Sequence, residues 1–73
     1  METIIYIRLL GEGTTVYRPV LSLEVESNIF QIIGNEIYDP EDENWEFVPN
    51  TLVLAEKQII DGEVVLVATK KIK

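Results

Sequence analysis

A chain of 73 residues with no cysteine, no histidine and 47% hydrophobic residues has room for one domain, held by apolar packing and backbone pairing and not by disulfides or a His/Cys metal site. Its net charge of −7 argues against nucleic acid and anionic membranes as partners, and no apolar run approaches the roughly 18 residues of a membrane span. Ten isoleucines, eight valines and five threonines against two alanines favour strands, because β-branched side chains lose rotamer freedom in helices and pack well on pleated surfaces.

Residues 3–10 (TIIYIRLL) predict a first strand with Ile5, Ile7 and Leu9 on one face. Gly11-Glu12-Gly13 breaks it with a tight reversal. Residues 14–20 resume an extended path in which Pro19 marks an edge, a bulge or a strand end. Leu21, Leu23 and Val25 then alternate with Ser22, Glu24 and Glu26, a half-buried strand with the apolar row expected inside. Ser27-Asn28 predicts a turn, residues 29–33 (IFQII) a buried strand, Gly34-Asn35 a second turn, and residues 36–38 a continuation of the meander. Residues 39–44 (DPEDEN) form a polar loop. Trp45 and Phe47 flank Glu46 and are expected on one face of a strand that ends at Pro49-Asn50. Residues 51–60 read as a strand or as a helix capped by Asn50; the strand is preferred because Asp61-Gly62, a strong two-residue hairpin signal, leads into EVVLVA. The domain is expected over residues 1–68, with residues 69–73 as a frayed basic tail.

Five to six short antiparallel strands broken by Gly, Pro and Asn predict an all-β fold, a small barrel or two packed sheets. The segments LLGEGTTVYRPV (9–20), NWEFVPNTLV (44–53) and DGEVVLVA (61–68) resemble a group of short bacterial proteins with an EGT-x-V-aromatic-RPV strand, a WEF-x-P-G turn and a Gly-containing C-terminal hairpin. Tyr17 stands where Trp is commoner in that group and Asn50 where Gly is commoner; Asn also adopts left-handed geometry, so the turn survives. The resemblance implies a five-stranded SH3-like barrel and carries no activity to transfer.

Without His or Cys, the usual proton shuttle and the best nucleophile are missing, and Ser22 and Ser27 have no evident base; no enzymatic activity and no cofactor are expected. The acidic loop Asp39, Glu41, Asp42, Glu43 lacks the fixed ligand positions and the Gly of a calcium loop, and no metal site is expected there. Trp45 and Phe47 are expected in the core with Ile5, Ile7, Leu23, Val25, Val53 and Val65. Tyr17 and Tyr38 are expected nearer the surface, where with Arg18 and the acidic loop they form a candidate partner-binding set. Arg18 reads either as a structural ion pair with a carboxylate such as Glu46 or as a recogniser of a carboxylate or phosphate.

Eight carboxylates and no Lys or Arg lie between residues 21 and 50. This acidic middle suits a non-enzymatic protein-interaction module, for instance an inhibitor or immunity-type protein that covers a basic partner. A nucleic-acid-associated barrel is the alternative, supported only by Lys70, Lys71 and Lys73. Glu2 in place of a basic n-region, together with the missing cysteines, fits a cytoplasmic protein, monomeric or weakly self-associating.

Overall fold

The computed structural model describes residues 2–72. Five strands, β1 (Glu2–Leu9), β2 (Val16–Glu26), β3 (Ile29–Ile32), β4 (Leu52–Ile60) and β5 (Glu63–Lys71), follow one another around a closed sheet. This is the small all-β barrel that the sequence predicts. Each consecutive pair is antiparallel, and β5 returns to β1 in parallel with Tyr6 opposite Val67. That parallel closure follows from parity: in a meander with an odd number of strands, the first and last run the same way.

The turns carry their expected chemistry. Asp61 and Gly62 both hold positive φ, 52° and 82°, between the paired residues Ile60 and Glu63, as a two-residue hairpin matched to strand twist requires. Leu52–Ile60 are strand, since the helix alternative has no way to enter that hairpin. Asn28 (φ 66°) and Asn50 (φ 73°) take left-handed conformations in the two turns that flank β3 and β4.

Pro19 sits inside β2 and is nevertheless accommodated. Backbone groups along a strand alternate in direction. The Leu21 carbonyl accepts the Ile33 N–H at 2.9 Å, so it faces away from β1, and Pro19, two residues earlier, faces the same way. β3 joins β2 only from Ser22 onward. The missing N–H therefore falls on a local edge, where no ladder bond is lost.

Three expectations about the connections are corrected. Residues 36–38 are not strand: Ile37 and Tyr38 N–H both donate to the Gly34 carbonyl, at 3.1 and 3.0 Å, closing a helical-type turn. Trp45 and Phe47 do not share a strand. Trp45 makes a single bridge to Leu9, with Leu10 N–H donating to Asn44 O at 2.7 Å and Glu46 N–H to Arg8 O at 2.9 Å. This bridge takes the free edge of β1 beyond the point where β5 meets it. Nor do residues 69–71 fray: Lys70 and Lys71 pair with Leu54 and Val53, and Ile72 N–H donates to Leu52 O at 2.8 Å. A bulge between Leu54 and Ala55 lets β5 follow β4 to its start. Lys73 lies outside the described residues.

The core is built from Ile5, Ile7 and Leu9 of β1, Val20 of β2, Phe30 and Ile32 of β3, Val53 and Ala55 of β4 and Ala68 of β5. Trp45, 2% exposed, closes the barrel from the long connection between β3 and β4. Gly34 makes that closure feasible. Its φ is +69°, and a Cβ there would lie 2.9 Å from Val20 Cγ1 and 3.1 Å from Trp45 Cη2. Both the backbone region and the space exclude a side chain.

Two stability outcomes follow. Trp45→Ala should lower unfolding free energy by about 3–5 kcal/mol, as for a buried large aromatic, or abolish the thermal transition. Gly34→Ala should cost more than Gly11→Ala in a urea titration. Both glycines have positive φ, but a Cβ at Gly11 meets nothing within 4 Å. Gly11→Ala then carries only the left-handed penalty of about 1–2 kcal/mol, and equal losses would show that the contact with Val20 and Trp45 relaxes freely.

Candidate protein-docking surface

The face of β2 is set by its partners. Val20 lies opposite Ile5 in the β1 ladder, and both are buried. Ser22 is fully buried beside them, its Oγ donating to the Thr3 carbonyl at 2.8 Å; a small hydroxyl enters the core when its hydrogen bond is made locally. Strand alternation then turns Tyr17, Pro19, Leu21, Leu23 and Val25 outward. The expectation that Leu23 and Val25 belong to the core is therefore overturned: Val25 is 48% exposed and Leu23 only half-buried. Val65 is half-buried and is not among the residues packed against the core cluster, to which β5 contributes Leu66 and Ala68. Ile5, Ile7, Trp45 and Val53 are buried as expected, and Phe47 packs partly buried against them.

The outward row of β2 creates an apolar surface that the alternation had assigned to the interior. Leu21 is 36% exposed and pairs with Ile4, 50% exposed, on β1. The hydrogen bond from Ile33 to Leu21 brings the start of the long connection alongside. The chain then turns at Gly34 and presents Ile37, 46% exposed. Between these residues lies an open groove of about 370 Å³, lined by Leu21, Ile33, Gly34, Asn35, Glu36 and Ile37.

The acidic loop rises from the end of this groove. Asp42 and Glu43 N–H donate to the Asp39 carbonyl, both at 2.9 Å, and Glu41 N–H donates to Asp39 Oδ1 at 3.0 Å. Asp39 thus organises its own turn, as short acidic side chains commonly do. Glu43 points back toward the barrel. Trp45 Nε1–H donates to Glu43 Oε1 at 3.1 Å, and Arg18 Nε lies 3.5 Å from the same oxygen. Tyr38 packs on Trp45 with ring centroids 4.8 Å apart and planes tilted by 59°.

The candidate binding set is divided by this geometry. Arg18, Tyr38 and Glu43 gather around Trp45 beneath the loop. Arg18 Nε is buried and makes no hydrogen bond, and the carboxylate that faces it is that of Glu43 and not of Glu46. Asp39, Glu41 and Asp42 remain on the exposed rim, and Tyr17 lies half-buried on the outward row of β2 opposite Arg8. The residues that sequence reasoning missed are Ile4, Leu21, Ile33 and Ile37. Their signal was ambiguous: Val20 and Leu21 are adjacent, so the alternation can be read in either phase.

No protein-family model, curated protein or solved structure matches the chain. Among the described residues no group of acidic side chains has the arrangement of a metal site, and no helix is long and apolar enough to cross a membrane.

The divided acidic loop gives a contrast in stability. Glu43→Ala removes the acceptor of the Trp45 indole and the counter-charge of Arg18, and should cost about 1–2 kcal/mol. Glu41→Ala, on the exposed rim, should stay within about 0.5 kcal/mol of wild type. Denaturant titration reads both, and a Glu41 loss matching that of Glu43 would contradict the division of roles.

Proposed function

We propose that the protein is a non-enzymatic interaction module that docks onto a basic partner protein through the outward face of β2 and the acidic connection beside it. One observation carries this reading: the chain's clearest apolar alternation faces solvent, next to carboxylates that have no basic residue among them. Exposed apolar patches rimmed by polar groups mark interaction sites. Leu21 and Ile37 stay partly exposed in a domain short of core material. The acidic rim adds long-range attraction, which raises association rates with basic partners. Covering a partner's basic site in this way is how an inhibitor or immunity-type protein in the cytoplasm would act.

The test uses Glu36→Gln, Glu41→Gln and Asp42→Asn together, residues whose side chains enter neither the Asp39 turn nor the Trp45 cluster. The triple variant should melt at or above the wild-type temperature, because mutual repulsion is relieved. Immobilised wild type should capture proteins with basic surfaces at low salt. Capture should fall several-fold for the variant, and also for wild type near 1 M salt, where the screening length is about 3 Å. Equal capture by wild type and variant at low salt would overturn the proposal.

A further inference from the structure

Resting on that reading, we infer that the groove between β2 and the start of the long connection receives a single apolar side chain of the partner, presented by a segment whose neighbouring residues are lysine or arginine. The groove is concave, holds about 370 Å³ and is walled by Leu21, Ile33 and Ile37. That volume is at the small end of ligand pockets and gives ample room for an aliphatic or aromatic side chain. Its floor is Gly34. The direction in which a Cβ would point is occupied by Val20 and Trp45, so the opposite side of this residue is bare backbone, over which an incoming side chain approaches closely. Gly34 is therefore backed by the buried Val20 and Trp45, so this part of the groove is formed before a partner arrives, which lowers the ordering penalty of binding.

Charge complementarity selects the occupant. Glu36 is part of the groove wall, and Asp39, Glu41 and Asp42 continue from it along an exposed loop. A purely apolar segment would leave these carboxylates to be desolvated without partners, and an acidic one would be repelled. A segment with one apolar anchor between cationic residues satisfies both halves of the site: the anchor removes Leu21 and Ile37 from water, while the cations stay at a solvated rim.

The inference is tested by amide chemical-shift titration of the whole chain with two synthetic peptides of equal charge, one with a leucine between paired lysines and one with alanine at that position. The leucine peptide should shift the amides of Leu21, Ile33, Gly34 and Ile37 and bind about tenfold more tightly than the alanine peptide, as expected for one aliphatic side chain taken largely out of water. Ile37→Ser and, separately, Leu21→Ser change exposed residues, should melt near wild type, and should bring the leucine peptide down to the level of the alanine peptide. Equal affinity of the two peptides, shifts confined to the acidic loop, or no binding of either at low salt would overturn the groove assignment. Equal affinities that still depend on Glu36, Glu41 and Asp42 would leave the acidic docking proposal standing and remove only the anchor. Affinities indifferent to those three carboxylates would count against the docking proposal itself.

Discussion

The burial of Trp45 is the constraint on which the rest of this barrel depends. It is the chain's one tryptophan, and no cysteine is present to staple the loops. A chain this short buries a modest share of its surface, so one large ring supplies a sizeable part of what is available. The ring also ties together segments far apart in sequence. Its backbone bridges Leu9, its indole N–H reaches Glu43, its face meets Tyr38, and its edge rests where Gly34 leaves room. The connection between β3 and β4, which is long for a domain of this size, is thereby fastened at several points. What it exposes, the acidic rim, is held against a firm support.

The same anchoring explains how a barrel of five strands closes with so brief a β3 and so slight a contact between β5 and β1. Where β5 leaves β1, the backbone around Trp45 takes over the hydrogen-bonding edge. Where β2 lacks β3 as a neighbour, Pro19 stands at the open position and offers no N–H. Both devices blunt edges that would otherwise recruit another strand. Sheet addition is thus discouraged, and exposed apolar side chains remain at Ile59 and Val64, which pair across the β4–β5 hairpin, and, separately, on the outward face of β2.

That surface runs against the simplest rule of strand patterning. The tidy row of Leu21, Leu23 and Val25 is outside, and the polar Ser22 is inside. Local patterning and tertiary structure disagree here, and such disagreements concentrate at functional positions. Keeping aliphatic groups in water forgoes hydrophobic stabilisation of roughly 25 cal/mol per Å². The eight carboxylates of the middle segment add self-repulsion. The two penalties meet at the groove where Glu36 lies with Leu21 and Ile37, which is the physical basis for the proposed docking role.

Much of the fold was legible because it is encoded locally. β-Branched composition, the Asp61-Gly62 hairpin, the Asn28 and Asn50 turns and the alternation of Ile5, Ile7 and Leu9 depend on neighbouring residues, and each leads to the structure formed. The burial of Trp45 was legible from its size alone. What only the tertiary structure decided is phase and partnership. Adjacent apolar residues such as Val20 and Leu21 leave two ways to face a strand, and the choice fell to long-range partners: Ile5 across the ladder and the Thr3 carbonyl that accepts the Ser22 hydroxyl. Arg18 could have met any of several carboxylates, and the fold of the loop around Asp39 brought it Glu43. Short-range sterics and turn preferences act within a few residues and are written in the sequence. The face a strand turns to water is a property of everything packed against it, and in this protein that face is the candidate docking surface.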